Sequence, residues 1–207
     1  MIFYLTKLTL ERYKLKLPHE MAPPTNQIVE SLMAKERGNE LMEWGGKIFY
    51  FDRRKCVQLV NFASKFTLFL MDLKVADMNE IGNIVAQHLL ELYKEDANMC
   101  DSLKRMFSQA PYCTIDRLTN RSIIATLNHT QRSFAWDGYR FYDYIQDNIL
   151  HTIQINRDVN FDWIFSRKTD AGTEYFSSGE LFRELVTTRY GVCPAAAAPI
   201  DNIHPFS

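Results

Sequence analysis

Three short apolar runs between positions 44 and 71 constrain the fold of this chain more than any other feature. They are Lys47-Ile48-Phe49-Tyr50-Phe51, Cys56-Val57-Gln58-Leu59-Val60-Asn61-Phe62 and Phe66–Met71. All are rich in β-branched and aromatic residues, which suit a pleated, half-buried surface. The connections, Asp52-Arg53-Arg54-Lys55 and Ala63-Ser64-Lys65, are too short for a crossover, so the runs pair as an antiparallel meander. Gly45-Gly46 reads as the turn that opens the first strand.

Amphipathic helices complete an α+β architecture. Asp77 with Glu80 three residues later forms a capping-box pattern, and Met78, Ile81, Ile84, Val85, Leu89 and Leu92 fall on one face of the helix that follows, through Tyr93. That face is expected to pack on the sheet. Ile2–Leu5 and Tyr112–Leu118 read as further strands. Helices are expected over Gln27–Arg37, Ser102–Phe107 and Arg121–Ala135, the last capped by Thr119 or Asn120 with Ile123, Ile124 and Leu127 inward. Thr9–Leu15 suits a short helix or turn, and Met21–Asn26, with its paired prolines, a loop. Trp136–Ile149 reads as a helix interrupted by Gly138. Ser177-Ser178-Gly179-Glu180 opens a final helix that Gly191 stops. The C-terminal half is therefore mainly helical. Residues 1–191 form one domain, and the Ala/Pro-rich stretch 192–207 is a loose tail.

The chain has 207 residues, 24 basic and 25 acidic, for a net charge of -1. A strongly basic nucleic-acid binder or an acidic mimic would be lopsided. The start, Met1-Ile2-Phe3-Tyr4-Leu5-Thr6-Lys7, lacks the cationic lead of a signal peptide, and the run near Phe66–Met71 is far too short to span a bilayer. A cytoplasmic protein without a membrane partner is expected. Cys56, Cys100, Cys113 and Cys193 contain no CxxC pair and read as free thiols.

No motif rises to a catalytic signature. His19, His88, His129, His151 and His204 show no metal-ligand spacing, so no metal is expected, and no Gly-rich phosphate loop or Gly-x-Ser-x-Gly elbow occurs, so no cofactor is. Cys56 follows three cations that can lower a thiol pKa, but it also begins an inward-facing strand. Asp158 with Asp162, and Asp143 with Asp147, have helical spacing, which suits an acid–base pair or a solvated face.

Two clusters stand out. Arg53, Arg54 and Lys55 concentrate positive charge in one connection, fit either for an anionic partner or for a solvated turn. Phe134, Trp136, Tyr139, Phe141, Tyr142 and Tyr144 alternate with Arg132, Asp137, Arg140 and Asp143. These aromatics are too many for one helix face, so some must be exposed or meet another element.

The order of several short motifs resembles a bacterial and mobile-element family that carries a domain of unknown function. They are Leu5-Thr6-Lys7-Leu8, then Asp52-Arg53-Arg54-Lys55-Cys56 running to Asn61, then Arg121-Ser122-Ile123-Ile124-Ala125-Thr126-Leu127-Asn128, then Leu181-Phe182-Arg183-Glu184-Leu185. The resemblance reaches to about Gly191, and the Ala/Pro-rich tail departs from it. It implies an intracellular bacterial or phage-like origin and transfers no activity and no catalytic residue. It passes through Arg53, Arg54, Lys55, Asn61, Arg121 and Asn128, which join Arg132, Trp136 and Tyr139 as candidate binding residues. The expectation is a non-enzymatic interaction protein with a protein partner, nucleic acid being possible. The rival is an enzyme acting on nucleic acid or nucleotides, with Arg53, Arg54 and Lys55 as its phosphate clamp.

Overall fold

The computed structural model describes residues 1–136, 138–169 and 172–191. The expected tail, 192–207, lies outside them. The meander is present as β2 (Glu43–Phe51), β3 (Arg54–Asn61) and β4 (Thr67–Met71). Its register pairs Phe51 with Arg54 and Val57 with Leu70. Two further strands, β1 (Ile2–Leu5) and β5 (Thr114–Arg117), extend it to a five-stranded sheet in the order β4-β3-β2-β1-β5. β1 runs parallel to both β2 and β5. The sheet is thus mixed. The parallel pairs need crossovers, supplied between β1 and β2 by α1 (Lys7–Tyr13) and α2 (Thr25–Glu36).

The alternation of the strands sends side chains to two cores. Phe3, Leu5, Trp44, Ile48, Val57, Leu59, Leu68 and Leu70 face one side with α1, α3 (Ile81–Leu92), α4 (Ala97–Gln109) and α7 (Ser178–Tyr190). Ile81, Val85, Leu89 and Leu92 are buried there, while Ile84 is partly buried against the same cluster. On the opposite side Val60, Cys56, Phe49 and Phe69 meet α5 (Arg121–Trp136) through Ile123, Leu127 and Phe134.

Several local expectations need correction. Gly45 and Gly46 do not form a turn: they lie inside β2, buried. Each lets a neighbour approach closely. A Cβ on Gly45 would collide with Ile123 of α5, and one on Gly46 would stand 2.6 Å from a Leu59 methyl and 2.8 Å from one of Leu5. Gly46→Val is therefore expected to destabilise by about 1–3 kcal/mol through overpacking, and urea unfolding checks it. Asp77 does not cap α3. It sits in a 3-10 turn, Ala76–Glu80, and its carboxylate accepts from the Lys74 N–H at 2.7 Å. The helix expected at Ser102–Phe107 is longer because Asp96 caps it, accepting from Met99 N–H at 3.0 Å.

The largest difference falls in the C-terminal half. Trp136–Ile149 is not a helix beyond the end of α5. It forms a 3-10 turn, Phe141–Tyr144, and a small hairpin of β6 (Ile145–Gln146) and β7 (Ile149–Leu150). Asp147 and Asn148 make the hairpin turn with φ of 51° and 61°, outside helical space. Asp143 and Asp147 therefore do not share a helix face. α6 (Thr152–Phe161) and the ribbon of β8 (Ile164–Thr169) and β9 (Gly172–Ser177) follow. α6 closes the open edge of the sheet. Asn156 and Asn160, one helical turn apart, bond the backbone N–H and C=O of Phe69 and of Thr67.

Candidate binding surface

Asp52 and Arg53 alone make the turn between β2 and β3, both with positive φ, 47° and 63°. This two-residue geometry matches the twist of the flanking strands. The turn is held from outside by the aromatic segment. The Phe141 N–H donates to Asp52 Oδ2 at 2.8 Å, and the Tyr142 hydroxyl lies 3.5 Å from the Asp52 carbonyl oxygen. Beneath these contacts Phe51, Phe134 and Phe141 form a ring cluster, with centroid separations of 4.9 to 5.4 Å. Arg140 lies over the Phe51 ring at 5.8 Å. The two clusters singled out in the sequence are thus parts of one surface.

The three cations of the hairpin do not act together. Arg54 and Lys55 belong to β3, where alternation sends them to opposite faces of the sheet. Arg54 forks onto the Asp72 carboxylate through Nε, at 3.0 Å, and through its terminal nitrogen. Lys55 donates to the Leu73 carbonyl and stands over the Tyr13 ring. Arg53 at the turn is exposed.

The other candidates separate in the same way. Asn61 is fully buried. Its amide nitrogen donates to the carbonyls of Glu40, Leu41 and Glu43, and its oxygen accepts from Ala63 N–H and from the Ser64 backbone and hydroxyl. It fixes the β3–β4 turn and presents nothing to a partner. Arg121 opens α5, exposed, behind Asn120, whose side chain accepts from Ile123 N–H at 3.1 Å. Asn128 accepts from the Lys47 ammonium at 2.8 Å, and Gln131 accepts from it too. Partial burial, with a smaller push from the charge of Arg132, lowers the Lys47 pKa. Arg132 is exposed.

Trp136, at the end of α5, is 78% exposed, the most open of the large apolar side chains among the described residues. Tyr139 is half-buried. It stacks on Phe134 at 5.2 Å, and its hydroxyl accepts from the Trp163 indole N–H at 3.2 Å. The structure therefore places Arg53, Arg140 and Tyr142 at the hairpin turn over the aromatic base, leaves Trp136 exposed at the end of α5, and assigns Arg54, Lys55, Asn61 and Asn128 internal bonds. Arg140 and Tyr142 stand out only through their contacts with the hairpin. Trp163 carries no local sequence signal at all, because its place depends on how α6 leads into β8.

The remaining chemistry is structural. Cys56 is fully buried, and burial pushes its thiol pKa well above the ordinary value, away from nucleophilic reactivity. Asp158 accepts from the Tyr144 hydroxyl at 2.8 Å and from Gln154 at 2.6 Å. Burial first, and this hydrogen bond second, raise the Tyr144 pKa. His88 is half-buried with Nδ1 2.9 Å from the Ile84 carbonyl oxygen. Among the described residues no three His, Cys, Asp or Glu side chains converge as metal ligands. Nor is any helix among them long and apolar enough to cross a membrane.

A mixed-sheet α+β domain with an arginine- and aromatic-rich surface at one hairpin tip is the class that these features define. The chain belongs to the DUF6933 family, a domain of unknown function, whose model matches residues 2–180. The match takes in the hairpin, α5 and the aromatic segment. No curated protein matches the chain.

Proposed function

We propose that this chain is a non-enzymatic interaction protein of the cytoplasm, which binds a protein partner through the surface formed by Arg53, Trp136, Arg140 and Tyr142. The observation that carries this reading is the docking of the aromatic segment on the hairpin turn through Asp52. Exposed Trp, Tyr and Arg side chains held on a rigid base lose little conformational freedom on binding, and these are the residue types that dominate interface energies. The excess of guanidinium groups favours a partner patch that carries carboxylates. The setting of a bacterial mobile-element defence or anti-defence factor rests on the sequence resemblance alone.

The rival, a phosphate clamp in an enzyme acting on nucleic acid or nucleotides, needs Arg53, Arg54 and Lys55 to converge. The internal partners of Arg54 and Lys55 weigh against it.

A photoreactive residue placed at Ala135, exposed beside Trp136, tests the proposal in cells of the native host, with one at Lys35 on α2 as control. The expected result is a discrete protein adduct from position 135 only, insensitive to nuclease and lost when Arg53 and Arg140 are changed to Ser. Equal adducts from both positions, or a nuclease-sensitive adduct, would overturn it.

A further inference from the structure

β1 and β5 lie side by side and parallel, yet the helices that follow them pack on opposite faces. α1 joins the core that contains Phe3 and Leu5, and α5 joins the one that contains Val60 and Leu118. Where connections diverge in this way, a crevice opens beside the carboxyl ends of the strands, the usual ligand position in sheets with parallel strands. Here a cavity of about 370 Å³ occupies the flank between α1 and the carboxyl end of β5. Leu10, Leu15 and Leu17 supply its apolar part, and Lys14 and Arg117 its cationic rim, with His19 beside them. The volume falls in the range of small-molecule sites, roughly 300–1,000 Å³.

The charges of the lining are not equally engaged. Lys7 pairs with Glu11 at 3.6 Å, Asp116 with Arg37 at 3.2 Å, and Glu20 accepts from the Leu17 N–H at 2.8 Å. Lys14 and Arg117 are exposed, with no side-chain partner among the described residues. Lys14 also stands at the left-handed residue that ends α1, φ 54°, a position that ordinarily takes Gly or Asn. A guanidinium and an ammonium facing an apolar trough match one kind of ligand.

We propose that this crevice binds a small organic anion, its apolar body on Leu10, Leu15 and Leu17 and its carboxylate or phosphate on Arg117 and Lys14. The Arg117 guanidinium can grip either group in a two-point contact. This site is separate from the aromatic surface and does not depend on its function.

Titration of the isotope-labelled protein, followed by amide NMR shifts, tests the proposal with phenyl phosphate and benzoate as probes. Inorganic phosphate and benzyl alcohol serve as controls for charge alone and apolar body alone. Saturable shifts at Leu10, Leu17 and Arg117 with at least one anionic aromatic probe are expected, and which probe binds more tightly tells phosphate from carboxylate. Both controls should bind more weakly. Arg117→Gln should weaken the favoured probe about tenfold or more, because a charge-assisted contact is lost, while its spectrum stays that of the folded protein. Leu17→Ser should weaken the probe but not change the response to inorganic phosphate. Shifts scattered over the surface, binding no tighter than that of the controls, or unchanged affinity in Arg117→Gln would each overturn the proposal.

Discussion

Replacing Asn160 with leucine is expected to remove roughly 3–5 kcal/mol of stability, because buried backbone groups left without partners cost about 1–3 kcal/mol each. Asn160 stands on α6 facing the outer edge of β4. Its oxygen accepts from the Thr67 N–H at 2.7 Å, and its nitrogen donates to the Thr67 carbonyl at 2.6 Å. The Ser178 hydroxyl donates to the same oxygen at 2.9 Å and so ties α7 to the arrangement. Thr67 and Asn160 are both fully buried, so water cannot replace the lost bonds. Leucine fills a similar volume, which confines the loss to hydrogen bonding. An unpaired strand edge also invites pairing with other chains, so the variant should aggregate at concentrations where the parent stays monodisperse. Urea unfolding measures the first effect and light scattering the second. A stability loss below about 1 kcal/mol would mean that the helix does not seal the edge.

This pair of asparagines shows where the sequence stops being legible. Ile155 and Val159 are apolar and buried on α6, while Asn156 and Asn160 are polar and equally buried. To a hydrophobic pattern the segment looks polar and weak. Its meaning depends on the edge of β4, which lies far away in sequence. The meander was legible because its pairings are local and its turns short. The parallel pairing of β1 was not, since nothing in Ile2–Leu5 says which strands flank it. Gly45-Gly46 misled for a related reason: glycine marks a turn or a close approach, and only the position of Ile123 and Leu59 decides between them. In the candidate site, residue type drew attention to Arg53 and Trp136, which the structure leaves exposed. It could not separate them from Arg54, whose partner Asp72 lies at the end of β4, or from Asn61, whose amide is committed to neighbouring backbone and the Ser64 hydroxyl.

Phe134 and Trp136, two residues apart at the end of α5, are expected to give opposite results when changed to alanine. Phe134 is buried, and its ring meets those of Phe51, Phe69, Tyr139, Phe141 and Trp163. It joins the sheet, the 3-10 turn and the lead into β8. Phe134→Ala should cost about 3–5 kcal/mol, as large-to-small changes of buried aromatics do. Its effect on binding should follow from a loosened base, since the Phe141 backbone would no longer be pressed onto Asp52. Trp136 is largely exposed, and Trp136→Ala should change stability by no more than about 0.5 kcal/mol. If the surface binds a protein, the same substitution should weaken affinity about 30-fold or more, the loss typical of a tryptophan at the centre of an interface. The control is Arg54→Gln, which breaks the ion pair with Asp72 beside the same hairpin and should lower stability slightly while leaving affinity intact. Melting temperature and affinity for the crosslinked partner, measured on all three variants, separate the two roles. Unchanged affinity in Trp136→Ala would remove the tryptophan from the interface. A large affinity loss in Arg54→Gln would shift the contact from the hairpin tip to the β3–β4 edge, where Arg54 meets Asp72.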